Sequence, residues 1–409
     1  MGDIKKLEEV REELQIQLME ELDINLNLED DKLYALIEAA VLQKGKNRYL
    51  SVEEKQILKR ELFNRFRKLD VLSELLEDES ISEIMINGSN NIFIERKGKL
   101  YRAKEFFSNE ERLRNVIQQI VSTCNRIVNE TVPIVDARLS DGSRVNVVLP
   151  PVALNGAVMT IRKFPKLFFT MERLIDIGTI TWEAASFLQS LVRAKYNIFI
   201  SGGTGSGKTT FLNVLSNYIP ADERVITIED SAELQITQIP NLVRLETRNA
   251  NIEGENEITM SQLIKTALRM RPDRIIVGEV RDAAAMDMAN SMLTGHDGSI
   301  STGHGNSAKE MLLRLETMIL MGYDMPILAI RQQIAAAVDI VIHLGRLRDN
   351  TRRVLEICEV LDVDQGEIQM NTLYQFSEQG EKDGKIVGEL MPVNHLIKKE
   401  KMIQSGQAM

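Results

Sequence analysis

Residues 202–209 read Gly202, Gly203, Thr204, Gly205, Ser206, Gly207, Lys208, Thr209, with Thr210 next. Glycines without a Cβ let several backbone N–H groups converge on phosphate oxygens. The run follows an apolar stretch, Tyr196 to Ser201, and leads into a helical pattern from Thr210 to Ser216. That order of strand, turn and helix is the context in which such a run binds phosphate, and the helix adds its positive N-terminus at the same point. In this reading Gly202–Thr210 cradle a nucleoside triphosphate, ATP. Lys208 reaches the β- and γ-phosphates, and the Thr209 hydroxyl ligates Mg²⁺.

Three later segments carry groups that could act on those phosphates. The apolar run from Arg274 to Gly278 ends in Glu279. A carboxylate there can ligate Mg²⁺, position the attacking water or take its proton. Many such sites have Asp-Glu at this point; here it is Gly-Glu. The run from Val225 delivers Glu229, Asp230 and Glu233 beyond a strand end, the edge at which ligands bind in open α/β sheets. His304 follows a third strand and stands between Gly303 and Gly305. The glycines would let the backbone come close to a ligand, so His304 is expected near the γ-phosphate. His296 is a weaker candidate, and His343 and His395 are read as structural. Five arginines complete the set: Arg138, Arg144 and Arg162, then Arg244 and Arg248 nearer the phosphate loop. A guanidinium from another domain or subunit can stabilise charge on a transferring phosphoryl group.

Those residues need a sheet to hold them. Strands are predicted at 197–201, 224–229, 242–246, 274–278, 299–302 and 339–344, with helices between most of them. The fold class is therefore α/β, a mainly parallel sheet with helices on both faces. Upstream, residues 73–163 read as a small α+β domain, with a helix from Ser108 to Asn125. Residues 1–72 read as a helical extension on the spacing of Leu7, Val10, Leu14, Leu18 and Leu22, with a capping box at Ser51. The organisation expected is an extension (1–72), an α+β nucleotide-clamping domain (73–163), a linker (164–172) around Pro165, the ATPase domain (173–365) and a partly ordered tail (366–409).

Composition bounds the function. The 409 residues carry 50 Lys and Arg against 60 Asp and Glu, a net charge of −10. A nucleic-acid binder usually has a basic excess, so nucleic acid is not an expected partner. No apolar stretch approaches the roughly 20 residues that cross a bilayer. Two distant cysteines, Cys124 and Cys358, suggest no disulfide framework, and the cytoplasm is the expected compartment.

Taken together, Gly202–Thr209, Glu229–Glu233, Ile275–Glu279 and Gly303–Gly305 resemble, in the right order, the four hallmark segments of the type II and type IV secretion ATPase superfamily. These are a Walker A, an Asp box, a Walker B ending Gly-Glu, and a His box. The similarity extends upstream through Asp136–Asn146 and Ile161–Phe164 and covers roughly residues 73–365. Within the superfamily the chain most resembles the tight-adherence (Flp, type IVb) pilus-assembly ATPases, through Leu245–Arg248, Asn251–Gly254, Arg269–Arg274 and the helical extension. The resemblance implies a RecA-like ATPase domain beside a PAS-like N-terminal domain. It also implies a homohexamer and an inner-membrane platform protein as partner at the cytoplasmic face. Glu279 would serve catalysis, supported by Glu229 and His304, with Arg138 and Arg144 approaching the nucleotide from the N-terminal domain. The four-cysteine zinc insertion of many relatives is missing, so no zinc is expected. The alternatives are the ATPase of a type IV or type II protein- or DNA-secretion system, and a nucleotide-gated scaffold with little turnover. Intact Lys208, Thr209 and Glu279 favour a hydrolysing motor.

Overall fold

The computed structural model describes residues 10, 11, 13, 14, 17, 18, 30–48, 50–67, 69, 71–96, 98–124, 126–139, 141–164, 169–248, 250 and 256–407. Leu7, Leu22, Pro165 and the segment 251–254 lie outside them. The chain divides into two compact units, Met1–Lys166 and Leu167–Met409.

The first unit holds two separate cores. Val10, Leu14 and Leu18, four residues apart, pack with Leu33, Ile37 and Val41 of the helix Asp30–Arg48 and with Leu58 and Leu62 of the helix Val52–Arg67. The capping box forms: Glu54 N donates to Ser51 Oγ at 3.1 Å and Ser51 N to Glu54 Oε2 at 2.6 Å, satisfying two N–H groups that the helix start would leave without partners. The second core lies between a helix, Glu110–Thr123, and a six-stranded antiparallel sheet. Its strands are β1 (Ile81–Asn87), β2 (Ile92–Arg96), β3 (Lys99–Arg102), β4 (Ile134–Arg138), β5 (Arg144–Val148) and β6 (Val158–Arg162), in the order β3-β2-β1-β6-β5-β4. Every residue of β3 is exposed, which is why no apolar alternation announces it.

The second unit is built on nine strands. They are β7 (Ile198–Gly202), β8 (Val225–Glu229), β9 (Leu242–Glu246), β10 (Arg274–Val277), β11 (Ile300–Gly303), β12 (Ile340–Arg346), β13 (Arg352–Asp364), β14 (Glu367–Lys382) and β15 (Lys385–Pro392). Their order is β15-β14-β13-β12-β7-β11-β10-β8-β9. β12, β7, β11, β10, β8 and β9 pair in parallel, whereas β13 to β15 are added as antiparallel hairpins. Side chains of a strand alternate between faces. Ile198 and Ile200 enter one core while Phe199 enters the other, so β7 is covered on both faces. That explains its unbroken apolar run. Because the six central strands run the same way, the C-terminal ends of β7, β8, β10 and β11 share one edge of the sheet.

The opposite edge is closed by a buried charge pair. Arg274, 0% exposed, donates from Nε to Glu223 Oε2 at 2.5 Å and from Nη2 to Oε1 at 3.0 Å, and its Nη1 donates to the Val192 carbonyl at 2.7 Å. The fork geometry lets one guanidinium serve two carboxylate oxygens and the main chain together.

Two sequence expectations need correcting here. Met171 and Glu172, assigned to a linker, begin a helix, Met171–Asp176, whose N-cap Thr170 accepts from Arg173 N. The stretch after 366, expected to be partly ordered, is a continuation of the sheet. β14 runs for 16 residues. The Glu359 carboxylate accepts from Ile397 N at 2.9 Å and Lys398 N at 2.6 Å, and Lys401 Nζ lies 2.7 Å from both Asp297 and Asp339. Residues 367–376 carry a strand-like pattern, but the Gly-, Lys- and Glu-rich stretch beyond them looked loose because β14 and β15 expose most of their side chains. Their backbone pairing does not depend on those side chains.

Candidate nucleotide site

The glycine-rich turn leaves β7 at Gly202 and enters the helix Lys208–Ser216. Gly205 and Gly207 have φ of 72° and 97°, a left-handed backbone that glycine adopts without steric cost. Gly203, Thr204 and Gly205 are exposed, Ser206 and Lys208 are buried, and Thr209 and Thr210 on the first helical turn are half-buried. Lys208 Nζ donates to the carbonyls of Gly202 at 3.0 Å and Gly203 at 3.1 Å. It also lies 3.4 Å from His304 Nδ1. Burial pushes the Lys208 ammonium down, against the attraction of Glu279.

From there a line of charged groups crosses the sheet edge. His304 Nε2 is 2.8 Å from Glu279 Oε1, an ion-pair approach that leaves this buried oxygen without a hydrogen-bond donor. Glu279 Oε2 accepts from Arg281 Nη2 at 2.8 Å, and Arg281 Nη1 stands 3.9 Å from Asp230. Burial alone would raise the Glu279 carboxyl; the Arg281 hydrogen bond and the charges of Arg281, His304 and Lys208 outweigh it and hold the group below the usual carboxylate range. Burial pushes the His304 ring down against the pull of Glu279.

Glu229 ends β8 and is 3% exposed. Its Oε2 accepts from Glu233 N at 2.6 Å and Leu234 N at 2.8 Å, while Oε1 is buried without a partner. Burial raises this carboxyl against those two N–H donors and the charge of Arg244. The Gly-Glu ending of the Glu279 strand follows from the same packing. A Cβ at Gly278 would come 3.0 Å from Glu229 Cγ, so a side chain there would displace Glu229. Two carboxylates thus sit at one sheet edge with opposite tendencies, Glu279 to ionise and Glu229 to hold a proton. Such divergence sorts acids into different roles.

The glycines beside His304 act differently from the sequence expectation. A Cβ at Gly303 would meet Phe199 at 3.0 Å and Met311 at 2.9 Å, and one at Gly305 would meet Ser201 Oγ at 2.8 Å. They let the turn pack against β7 and the helix Ala308–Leu320; they do not clear space for a ligand. His296 precedes β11, at the edge opposite the phosphate loop, with Nδ1 3.2 Å from the Ser291 carbonyl. Arg244 and Arg248 are exposed, on and just after the edge strand β9, and Arg248 Nε donates to the Asn256 carbonyl at 2.9 Å.

Arg138, Arg144 and Arg162 belong to the first unit. They form a cross-strand row, Arg138 opposite Arg144 and Arg144 opposite Arg162, on the sheet face away from the apolar core.

Sequence reasoning missed two residues, Arg281 and Arg352. Arg281 follows Glu279 by two positions, so strand alternation carried on past β10 would have put both on one side. His343, read as structural, is buried, in register with Ser201 and with Nδ1 3.2 Å from its Oγ. Arg352 donates from Nε to the Gly205 carbonyl at 2.8 Å; no local signal links it to a loop 147 residues away.

A family model described as type II/IV secretion system protein matches residues 67–408. A putative conjugal transfer protein of Mycobacterium tuberculosis is 34% identical over 319 residues, covering 76% of this chain and 90% of that protein. The type IV secretion system protein VirB11 of Brucella suis is 31% identical over 317 residues, covering 70% and 87%. Among solved structures, the pilus retraction motor PilT with bound ADP superposes with a TM-score of 0.52 at 18% identity, covering 82% of this chain and 86% of that one. That likeness shows the fold, a RecA-like α/β ATPase architecture.

Proposed function

Since the chain belongs to the type II/IV secretion system protein family and is therefore a nucleotide-binding ATP hydrolase, we propose that it is the ATPase of a type IV secretion machine of the conjugal-transfer kind. The observation that carries this is the 34% identity to a putative conjugal transfer protein over 90% of that protein's length, with VirB11 in support. Lys208 and the N–H groups of Gly203–Thr209 hold the phosphates. Glu279, kept ionised by Arg281, orients the attacking water and takes its proton. His304 bridges Lys208 and Glu279, so that a change at the γ-phosphate reaches both.

Two buried carboxylate oxygens without hydrogen-bond donors, Glu229 Oε1 and Glu279 Oε1, suit a hydrated dication and its water. Among the described residues no group of three or more His, Cys, Asp or Glu could hold a metal unaided. Mg²⁺ needs none, because it takes one or two protein ligands with substrate phosphates and waters. Thr209 and Glu279 would hold it, and it would supply charge neutralisation at the phosphates. The working form in this proposal is a homohexamer on a membrane platform protein at the cytoplasmic face. No helix among the described residues is long and apolar enough to cross a membrane, so attachment would run through partners. With ATP the purified protein should have the mass of six copies; a monomer at working concentration would remove the ring.

Tight-adherence pilus assembly is the second reading, favoured by Leu245–Arg248 and Arg269–Arg274. Deleting the gene in its own cell separates the two. Loss of conjugal DNA transfer, restored by the wild type but not by Glu279→Gln, supports the first. Normal transfer with loss of surface pili would move the assignment to pilus assembly.

A further inference from the structure

Arg352 opens β13 and is held there by the hairpin behind it, in register with Arg346. The turn is fastened by Asp349, which accepts from Thr351 N at 3.0 Å and Ile386 N at 2.8 Å. From this anchored position Arg352 Nε donates to the Gly205 carbonyl, and the stem passes over the next glycine, where a Cβ at Gly207 would lie 3.4 Å from Arg352 Cδ. Gly205 and Gly207 both have positive φ, so no side chain of their own limits how the peptides between them rotate.

In a trans peptide the C=O and the N–H point in opposite directions. With the Gly205 carbonyl turned outward onto Arg352, the N–H of Ser206 faces the inside of the loop. There it donates to the Gly203 carbonyl at 3.3 Å, the same oxygen that accepts from Lys208 Nζ. The Ser206 N–H and the Lys208 ammonium thereby converge on one point.

We propose that Arg352 is a positioning residue of the phosphate loop: by holding the Gly205–Ser206 peptide with its carbonyl outward, it presets the N–H groups that receive the nucleotide's phosphates. This rests on the reading that Gly202–Thr209 bind those phosphates. Without Arg352 the glycine peptides must be ordered by the nucleotide itself, and ordering on binding weakens affinity. The chemical step, carried by Glu279, is left alone.

Steady-state hydrolysis by Arg352→Met, Arg352→Lys and Lys208→Ala tests this. Arg352→Met keeps the stem and loses the donor, so KM for ATP should rise about tenfold with kcat within about twofold. Arg352→Lys keeps a donor and should recover most of the loss. The melting temperature without nucleotide should match wild type in both. An unchanged KM in Arg352→Met overturns the inference, as does a loss in kcat as large as the change in KM, or a melting temperature lowered equally in both variants. Wild-type kinetics in Lys208→Ala would sink the phosphate-loop reading itself, whatever Arg352 does.

Discussion

Replacing Lys208 by alanine should abolish ATP hydrolysis, with kcat/KM falling by at least about a hundredfold. The ammonium sits where the loop carbonyls of Gly202 and Gly203 and the ring of His304 meet. The nearest cation along the same line, Arg281, is engaged by Glu279. Of the carbonyls it releases, that of the exposed Gly203 can take water, whereas that of the buried Gly202 loses its donor, so folding is read separately from charge. Phosphate release from the purified variant beside the wild type reads the outcome, with circular dichroism as a check on folding. Wild-type turnover would mean that phosphate is not held by this loop.

Glu279→Gln should separate binding from turnover. The amide keeps the shape of the side chain and can still meet Arg281 through its oxygen, but it carries no charge and cannot take a proton. General-base loss costs about a hundredfold to ten-thousandfold in rate, so kcat should fall by that range while ATP affinity changes little. Titration of a fluorescent ATP analogue gives the affinity, and single-turnover phosphate release gives the rate. A variant that binds poorly would make Glu279 a structural partner of Arg281. One that hydrolyses normally would pass the water-activating role to Glu229.

The phosphate loop and its strands were legible because each rests on a local rule. The glycines of 202–207 have no other common use in that context, and the doubly buried strands β7 and β10 carry the apolar runs Ile198–Ile200 and Ile275–Val277. Four segments ending at one sheet edge follow from parallel topology alone. Less legible was why a residue type stands where it does. The Gly-Glu ending reflects the passage of Glu229 over Gly278, a packing fact that no spacing within 274–279 contains. The glycines around His304 looked like room for a ligand, and are room for Phe199 and Met311. The end of the chain read as loose because β14 and β15 expose most of their side chains, although Leu373, Ile386 and Leu390 are buried, and because its anchors, Glu359 and Asp339, come from distant positions. Arg352 escaped for the same reason: its partner is set by the hairpin that follows β12, not by its neighbours in sequence.

The central claim is that Lys208, His304 and Glu279 form one line along which a triphosphate is bound and split. A structure of the protein with Mg²⁺ and a non-hydrolysable ATP analogue tests it most directly. The γ-phosphate should lie against Lys208 Nζ, with a water between it and Glu279. A γ-phosphate bound elsewhere, with Glu279 and His304 both out of reach of it, would contradict the account.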